Sequence, residues 1–464
     1  MAGSFGSIGT ALSALRYQQV ALDVAGNNIA NATTEGYARR RVVGESLGPV
    51  TPAMWSRTDG HGSGVGVGEV RRMVDPLLDT RVRREHASLS YLQTTQTVLA
   101  RVEEGIGEPG DAGVYAAMLN FRSSWQDLSL NPNGDAARQQ VLGSAATLAQ
   151  ALRLQTSNVA NEEGDQRVHA QTVVRQVNDA AAAVARLNQT ILVNDQNGLD
   201  SGVLKDERDQ MVLKLAELSG ATTVVQSDGQ YDVSISGYAL VDGNRAGALA
   251  VSTGITATGA ADGLPVTFRI DAPWGSTAIV GNPGGELGGV TELLTTTLPG
   301  YRAGLDAVAA DLASSFNSQH AAGFDRSGAA GGAFFSYNPA VGAASLTVAI
   351  TDPALVAASS VNGGARDGNN ADALSDIGGH LDSYQRLVNG FGSTVAALGR
   401  QTANQRALAG SLDSSWEQQA GVNLDEETVN MVQAQRAYEA AARLMTTIDQ
   451  VLDTLINRTG LVGR

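Results

Sequence analysis

Two segments at opposite ends of the chain constrain everything between them. Near the start, residues 8–37 read IGTALSALRYQQVALDVAGNNIANATTEGY; near the finish, residues 421–457 read GVNLDEETVNMVQAQRAYEAAARLMTTIDQVLDTLIN. In the first, Ile8, Leu12, Leu15, Gln19, Leu22, Gly26 and Ile29 follow alternating steps of four and three. In the second, Leu424, Glu427, Met431, Ala434, Tyr438, Ala441, Met445, Ile448, Leu452 and Leu455 do the same. This is coiled-coil spacing, with one narrow apolar stripe per helix. Neither helix can bury its stripe alone, so each requires a partner. The seams are imperfect, with Gln19, Gly26 and Glu427 on them. The first helix also runs into Asn27, Asn28, Asn31, Thr33 and Thr34, which are poor helix formers. Amide side chains donate and accept hydrogen bonds. Such seams suit contacts with several neighbours better than one dry zipper, and they point to an assembly subunit held by its termini rather than to an enzyme.

The interior has material for real cores. The chain has 464 residues, 43% of them apolar, which is room for roughly three domains. Aromatics are only 5%, so the cores must be built mostly from Ala, Val and Leu, which suits helix-on-helix packing. Net charge is −15 and lysine occurs only at Lys205 and Lys214. With no basic stripe to hold phosphates, nucleic acid and membrane are not expected as partners. The absence of cysteine removes disulfides, thiolate metal sites and cysteine nucleophiles. The opening residues MAGSFGSIGT lack a charged and then apolar leader, so no cleaved signal is expected. Export by a machine that reads no such signal stays open.

Along the chain, the basic run Arg39–Arg41 leads into a loop-rich stretch and the glycine run GHGSGVGVG. That run lacks a phosphate-loop lysine pattern and reads as an extended or turning segment. Asp75-Pro76 marks a helix start, and the apolar period from Val74 to Val102 predicts a long helix ending near Gly105. Further helices are expected over 114–129, over 136–157 and around Val173–Ile191, the last stopping at Asn197-Gly198. A shorter one carries Leu204, Met211, Leu215 and Leu218. The period then changes to two. Tyr231, Val233 and Ile235 alternate with polar residues, and Asp228-Gly229 is a hairpin signal. This style lasts to about Gly285, helical period returns from Tyr301 to Phe316, residues 345–351 look strand-like, and helix resumes from Ile377.

The fold expected is mainly α with β insertions: an elongated multidomain chain whose terminal helices pair as a coiled coil. Residues 1–45 and 420–464 form the terminal domain. Residues 46–220, 286–335 and 371–419 form a helical middle domain. Residues 221–285 and 336–370 form a β-rich outer domain.

No catalytic, metal or cofactor site is legible. His61, His86, His169, His320 and His380 are scattered without ligand spacing. Asp195, Asn197 and Asp200 sit in a loop whose register is wrong for calcium. Asp425-Glu426 reads as first-turn charge favouring a helix dipole. Asp206, Glu207, Arg208 and Asp209 read as a solvated face with local ion pairs.

The element Leu15…Gln19…Leu22…Asn27-Asn28-Ile29-Ala30-Asn31…Thr34…Gly36-Tyr37 resembles the signature shared by bacterial flagellar rod, hook and hook-associated proteins. The closing segment resembles the same axial family. The middle narrows this. VLKDERDQMVLKLAELSGATTVVQSDGQYDVSISGYALVDGN, GGELGGVTELLTTTLPGYRAGLDAVAADLASSFNSQHAAGFDRSGAAGGAFF and DAARQQVLGSAATLAQAL resemble the hook-associated protein 1 family, the first hook–filament junction proteins. The chain departs from that pattern at Arg40 and Arg41, where the family often has Gln, and in a short stretch between Phe335 and Asp376 that suggests a reduced outer domain.

The resemblance implies an inner tube of terminal helices and no enzymatic activity. It implies a ring of identical copies seated on hook protein, then the second junction protein and, indirectly, flagellin. It implies export through the flagellar type III route to the cell exterior, with a cytoplasmic export chaperone on the C-terminal helix. It implies terminal helices that order on assembly. The assembly residues would be Leu12, Leu15, Gln19, Leu22, Asn27, Asn28, Ile29, Asn31, Thr34, Gly36, Tyr37, Asn423, Leu424, Met431, Gln435, Tyr438, Ala441, Met445, Ile448, Leu452 and Leu455. Two other readings compete: a hook or rod axial protein, and a secreted coiled-coil binding protein.

Overall fold

The computed structural model describes residues 2–48, 64–110, 113–364 and 366–454. Helix α1 spans Ala2–Ala30 and is followed by the ribbon β1 (Arg40–Ser46) and β2 (Val65–Arg72). Four helices come next: α2 (Pro76–Ile106), α3 (Val114–Leu130), α4 (Asp135–Gln196) and α5 (Gly202–Ser219). The Asp75 side chain caps α2, accepting from the amide of Leu77 at 2.9 Å, with Pro76 at the first position; Gly107, in the left-handed region, closes it. Strands β3 (Thr222–Val225), β4 (Tyr231–Ile235), β5 (Tyr238–Asp242) and β6 (Arg245–Ala246) make one antiparallel sheet. Strands β7 (Ala248–Thr253), β8 (Thr267–Ala272) and β9 (Gly275–Ala278) make another. Helix α6 (Gly285–Glu292) passes through a π-helical turn, Leu293–Thr297, into α7 (Leu298–Ala322). A two-stranded piece, β10 (Phe335–Ser336) with β11 (Thr347–Val348), precedes α8 (Asn369–Ser375), α9 (Gly379–Ala420) and α10 (Leu424–Asp453).

Two hydrophobic cores organise the body. The first is helical and gathers a cluster of the chain's few aromatic rings. Phe121, Trp125, Phe316, Phe334 and Phe335 are buried together, with Phe121 and Phe316 centroids 4.9 Å apart. The second lies where α4, α5 and α6 meet the two sheets, around Val177, Val184, Leu215, Val233, Ile235, Phe268 and Leu287. Two asparagines on α4 clamp the sheets to it. Asn188 Nδ2 donates to the carbonyls of Tyr231 and Gly243 at 2.8 and 2.7 Å. Asn178 exchanges both bonds with Leu249, its Nδ2 donating at 2.9 Å and its Oδ1 accepting at 2.7 Å. The hairpin at Asp228-Gly229 joins β3 to β4, with Val233 and Ile235 on the buried face.

The structure corrects three expectations. Asp135–Gln196 form one helix of 62 residues, spanning roughly 90 Å, rather than two. The weak formers near Ser157 are carried by packing of the flanking turns in both cores. Residues 336–370 do not join residues 221–285 in one β-rich domain. Leu346, Ile350, Val356 and Ala358 sit in the helical core beside Phe334 and Phe335, and β11 is only two residues long. Short apolar runs in both states look alike by period, so burial decided it. Asp206 and Arg208 are buried rather than on a solvated face: Asp206 pairs with Arg40 and Arg72, and Arg208 donates to Asn188 Oδ1 and the Gly229 carbonyl.

Candidate assembly interface and its internal anchor

Helix α1 packs antiparallel along α10, because Asn28 near the end of the first touches Glu427 near the start of the second. Among the described side chains of α1, the small Ala11 and Ala25 and the amide Asn28 are the buried ones. Ser13 faces the ribbon, where its Oγ accepts from the amide of Val65 at 3.3 Å. The N-terminal stripe expected from spacing is only partly covered by these contacts. Leu12 is 41% exposed, Gln19 and Asn27 are exposed, and Leu15, Leu22 and Ile29 are half-buried. On α10 the stripe does face inward: Ala434, Ala441 and Ile448 are buried, and Met431, Met445 and Leu452 half-buried. Leu424, Gln435 and Tyr438 are exposed on that helix. Leu455 lies outside the described residues. Asn423 caps α10, its side chain accepting from the amides of Asp425 and Glu426.

Asn28 and Tyr37, expected to face neighbouring molecules, are internal. Asn28 is fully buried, and its amide group is fully used. Its Nδ2 donates to the Arg40 carbonyl and to Glu427 Oε2, both at 2.9 Å. Its Oδ1 accepts from the Tyr37 hydroxyl at 2.9 Å and the Arg40 amide at 3.1 Å. A seam glutamate is costly unless paired and hydrogen-bonded. Glu427, 2% exposed, also accepts from Arg39 Nε at 2.8 Å. The turn before Tyr37 is built locally: Asn31 Nδ2 donates to the Asn27 carbonyl, Thr34 Oγ1 to Asn31 Oδ1, and Gly36 takes a φ of +73°. Gln210 packs against that turn and donates to the Glu35 carbonyl, and a side chain on Gly36 would collide with it.

The anchor extends into the body. Arg40 pairs with Asp206 at 3.1 Å, Arg72 with Asp206 and Asp209 at 2.7 Å each, and Arg83 with Asp209 at 3.0 Å. Burial pushes the Asp206 carboxyl up, and the Arg72 and Arg40 guanidiniums pull it back. Arg208, beside them in sequence, stacks 3.5 Å over the Tyr231 ring of β4. Thus α1, the ribbon, α2, α5 and α10 share one charged joint. The spacing argument missed Arg39, Arg40, Arg72, Asp206 and Asp209. The available signal was Glu427 on an apolar seam, which demands a cation, together with the cation cluster Arg39–Arg41.

The described histidines are used structurally. His320 Nδ1 donates to the Gly332 carbonyl and its Nε2 accepts from the Ala357 amide, both at 2.8 Å, which holds the ring neutral. Burial pushes His380 down to about 4. His61 lies outside the described residues. Among the described residues no three His, Asp or Glu are placed to hold a metal ion, and no helix is long and apolar enough to cross a membrane.

Residues 99–335 match the family model of the flagellar hook-associated protein FlgK helical domain. Residues 416–458 match the flagellar basal body rod FlgEFG protein C-terminal model, and residues 8–37 the flagella basal body rod protein model. Flagellar hook-associated protein 1 of Bacillus subtilis is 30% identical, with 100% of each chain covered; the alignment runs over 515 positions. Flagellar hook-associated protein 1 of Escherichia coli is 25% identical, over 97% of this chain and 99% of that one. The solved structure of the flagellar hook junction protein FlgK from Burkholderia pseudomallei superposes with a TM-score of 0.65 at 18% identity, covering 72% of this chain and 99% of that chain. At that identity the likeness speaks to the fold.

Proposed function

The chain belongs to the flagellar hook-associated protein 1 family, and from that premise we propose that it is a structural subunit of the hook–filament junction that works by completing an unfinished terminal domain. Copies of the chain form a ring at the end of the hook, seated on hook protein. The new ring face seats the second junction protein and, through it, flagellin. The observation that carries this is the orientation of α1. Its stripe is covered only in part, with Leu12 exposed and Leu15, Leu22 and Ile29 half-buried. A half-covered stripe beside an exposed Leu424 and Tyr438 is completed by equivalent helices of neighbouring copies.

Isolated helices near thirty residues gain most of their stability from packing. In the free chain α1 and α10 therefore open readily, and they close as subunits add. The same exposed α10 surface is available to an export chaperone before export without a cleaved signal. The domain partition expected above, less residues 336–370, serves this reading: the terminal domain assembles and the body spaces and decorates. A rod or hook role is the weaker reading, because the rod-type matches cover only the ends while residues 99–335 match the hook-associated helical domain.

Hydrogen exchange on the free chain and on chain bound to isolated hooks tests this. Residues 12–29 and 431–452 should exchange fast in the free chain and be protected on hooks. Equal strong protection in both states overturns the ordering mechanism. Failure to bind hook ends at all overturns the junction role.

A further inference from the structure

The body's two hydrophobic cores are threaded by two continuous helical rods, and both rods are irregular where the cores part. On α4, residues 141–159 serve the first core and residues 170–185 the second. The stretch between them contains Ser157, Asn158, Asn161, Gly164 and Asp165, all weak helix formers. Its inward side is polar. Glu162 pairs with Arg101 of α2 at 3.1 Å, and Glu163 with Arg302 of α7 at 3.0 Å. Glu163 Oε1 and Gln166 Oε1 are buried without a hydrogen-bond partner. A cleft of about 220 Å³ opens beside them, lined by Arg101, Gln155, Asn158, Glu162 and Asp165.

The second rod is α6–α7. It changes core between Val290 and Leu293, where the π-helical turn begins. Pro299 has no amide to give the Thr295 carbonyl, and the backbone answers by widening: the Leu298 amide donates five residues back, to Leu293. The hydroxyls of Thr291 and Thr295 bond backward to Leu287 and Thr291 carbonyls at 2.6 and 2.7 Å, a pattern that bends helices. Proline, π turns and side chains bonding into the ladder are the usual causes of helix bending. On the α4 side the contacts at this level are polar rather than apolar, and unpaired buried groups lose little when they loosen.

We propose that this polar waist is a bending joint, at which the lobe carrying both β-sheets inclines relative to the helical lobe. Motion is by flexure of α4 and α6–α7 together, with both cores moving as rigid bodies. In a subunit set between two unlike tubes, it lets one sequence settle against either.

The test uses the full chain, whose lack of cysteine allows clean labelling. Spin labels on Leu130→Cys and Val280→Cys span the waist; Leu130→Cys with Leu154→Cys stays within the helical lobe. Pulsed dipolar spectroscopy should give a cross-waist distance distribution about twice as wide as the within-lobe one. Gly164→Ala, where the added methyl meets only the tip of Arg167 at 3.9 Å, should narrow it, and Pro299→Ala should narrow it further. A cross-waist distribution as narrow as the control overturns the joint. A wide distribution that Gly164→Ala leaves unchanged also overturns it, by placing the motion elsewhere. Should Pro299→Ala fail to fold, Gly164→Ala alone decides.

Discussion

At the scale of single residues, the terminal domain is held by polar groups set into an alanine-rich seam. Ala11, Ala25, Ala434 and Ala441 let the backbones approach but define register weakly, since one alanine fits another's place. Asn28 and Glu427 supply the register, because their donors and acceptors match at one alignment only. Replacing Asn28 by Ala leaves the Tyr37 hydroxyl and a Glu427 oxygen short of partners inside the seam. The expected cost is on the order of 1–3 kcal/mol. It should appear as loss of hydrogen-exchange protection across the start of α10 in the hook-bound state, with the body unchanged. Asp206→Asn removes the buried charge shared by Arg40 and Arg72 and leaves them only Asp200 and Asp209 as carboxylate partners. It should lower the denaturation midpoint of the full chain, by more than Asp425→Asn on the exposed first turn of α10 does.

At the scale of elements, the helices are tied by a few cross-links. His86 on α2 lies 3.1 Å from Glu217 of α5 and 2.9 Å from Asp413 of α9, so one ring clasps three helices. Hydrogen bonds to those two carboxylates push its pKa up to about 9, against the opposing pull of burial. In the unfolded chain it titrates near 6.5. The folded state therefore gains from the clasp fully below about pH 6.5 and loses the gain as pH rises through about 9. Both carboxylates are two-fifths exposed, so solvent reduces the effect to about 1–2 kcal/mol. The urea midpoint should fall between about pH 6 and pH 9.5 in the wild type and change less in His86→Gln. Within the helical core, Phe121 touches Trp125, Phe316, Phe334 and Phe335. Phe121→Ala should cost about 3–5 kcal/mol, read as a lowered thermal midpoint of the body.

At the scale of the whole molecule, stability and assembly are carried by different surfaces. Leu12, 41% exposed, and Tyr438, 39% exposed, lie on the outward sides of α1 and α10 and contribute little to the isolated fold. The pair Leu12→Asp and Tyr438→Asp should leave the thermal midpoint of the free chain within about 0.5 kcal/mol of equivalent stability. The same pair should reduce binding to isolated hooks at least about tenfold, because charges would enter a seam that closes only between copies. A large loss of monomer stability from these substitutions would place the stripe inside the chain instead.

Much of this was open to the sequence by itself. Period separates helix from strand, so the helical runs, the Asp228-Gly229 hairpin and the terminal stripes follow from apolar spacing and turn chemistry. The stripe on α10 could be read directly, since its small and apolar residues face the chain's own partner. The order of motifs along the chain was enough to reach the family. Tertiary structure alone decided the rest, because spacing gives the period of a helix and not its phase against a neighbour. Rotation of α1 placed Ala25 and Asn28 inward and left Leu12 outward. Long-range ion pairs drew Asp206, and stacking on Tyr231 drew Arg208, from an expected solvated face into the interior, and apolar contact drew residues 336–370 into the helical core. Packing in both cores carried α4 through Ser157 to Gly164, where local propensity argues for a break. In each case the deciding energy came from residues distant in sequence, which no local window contains.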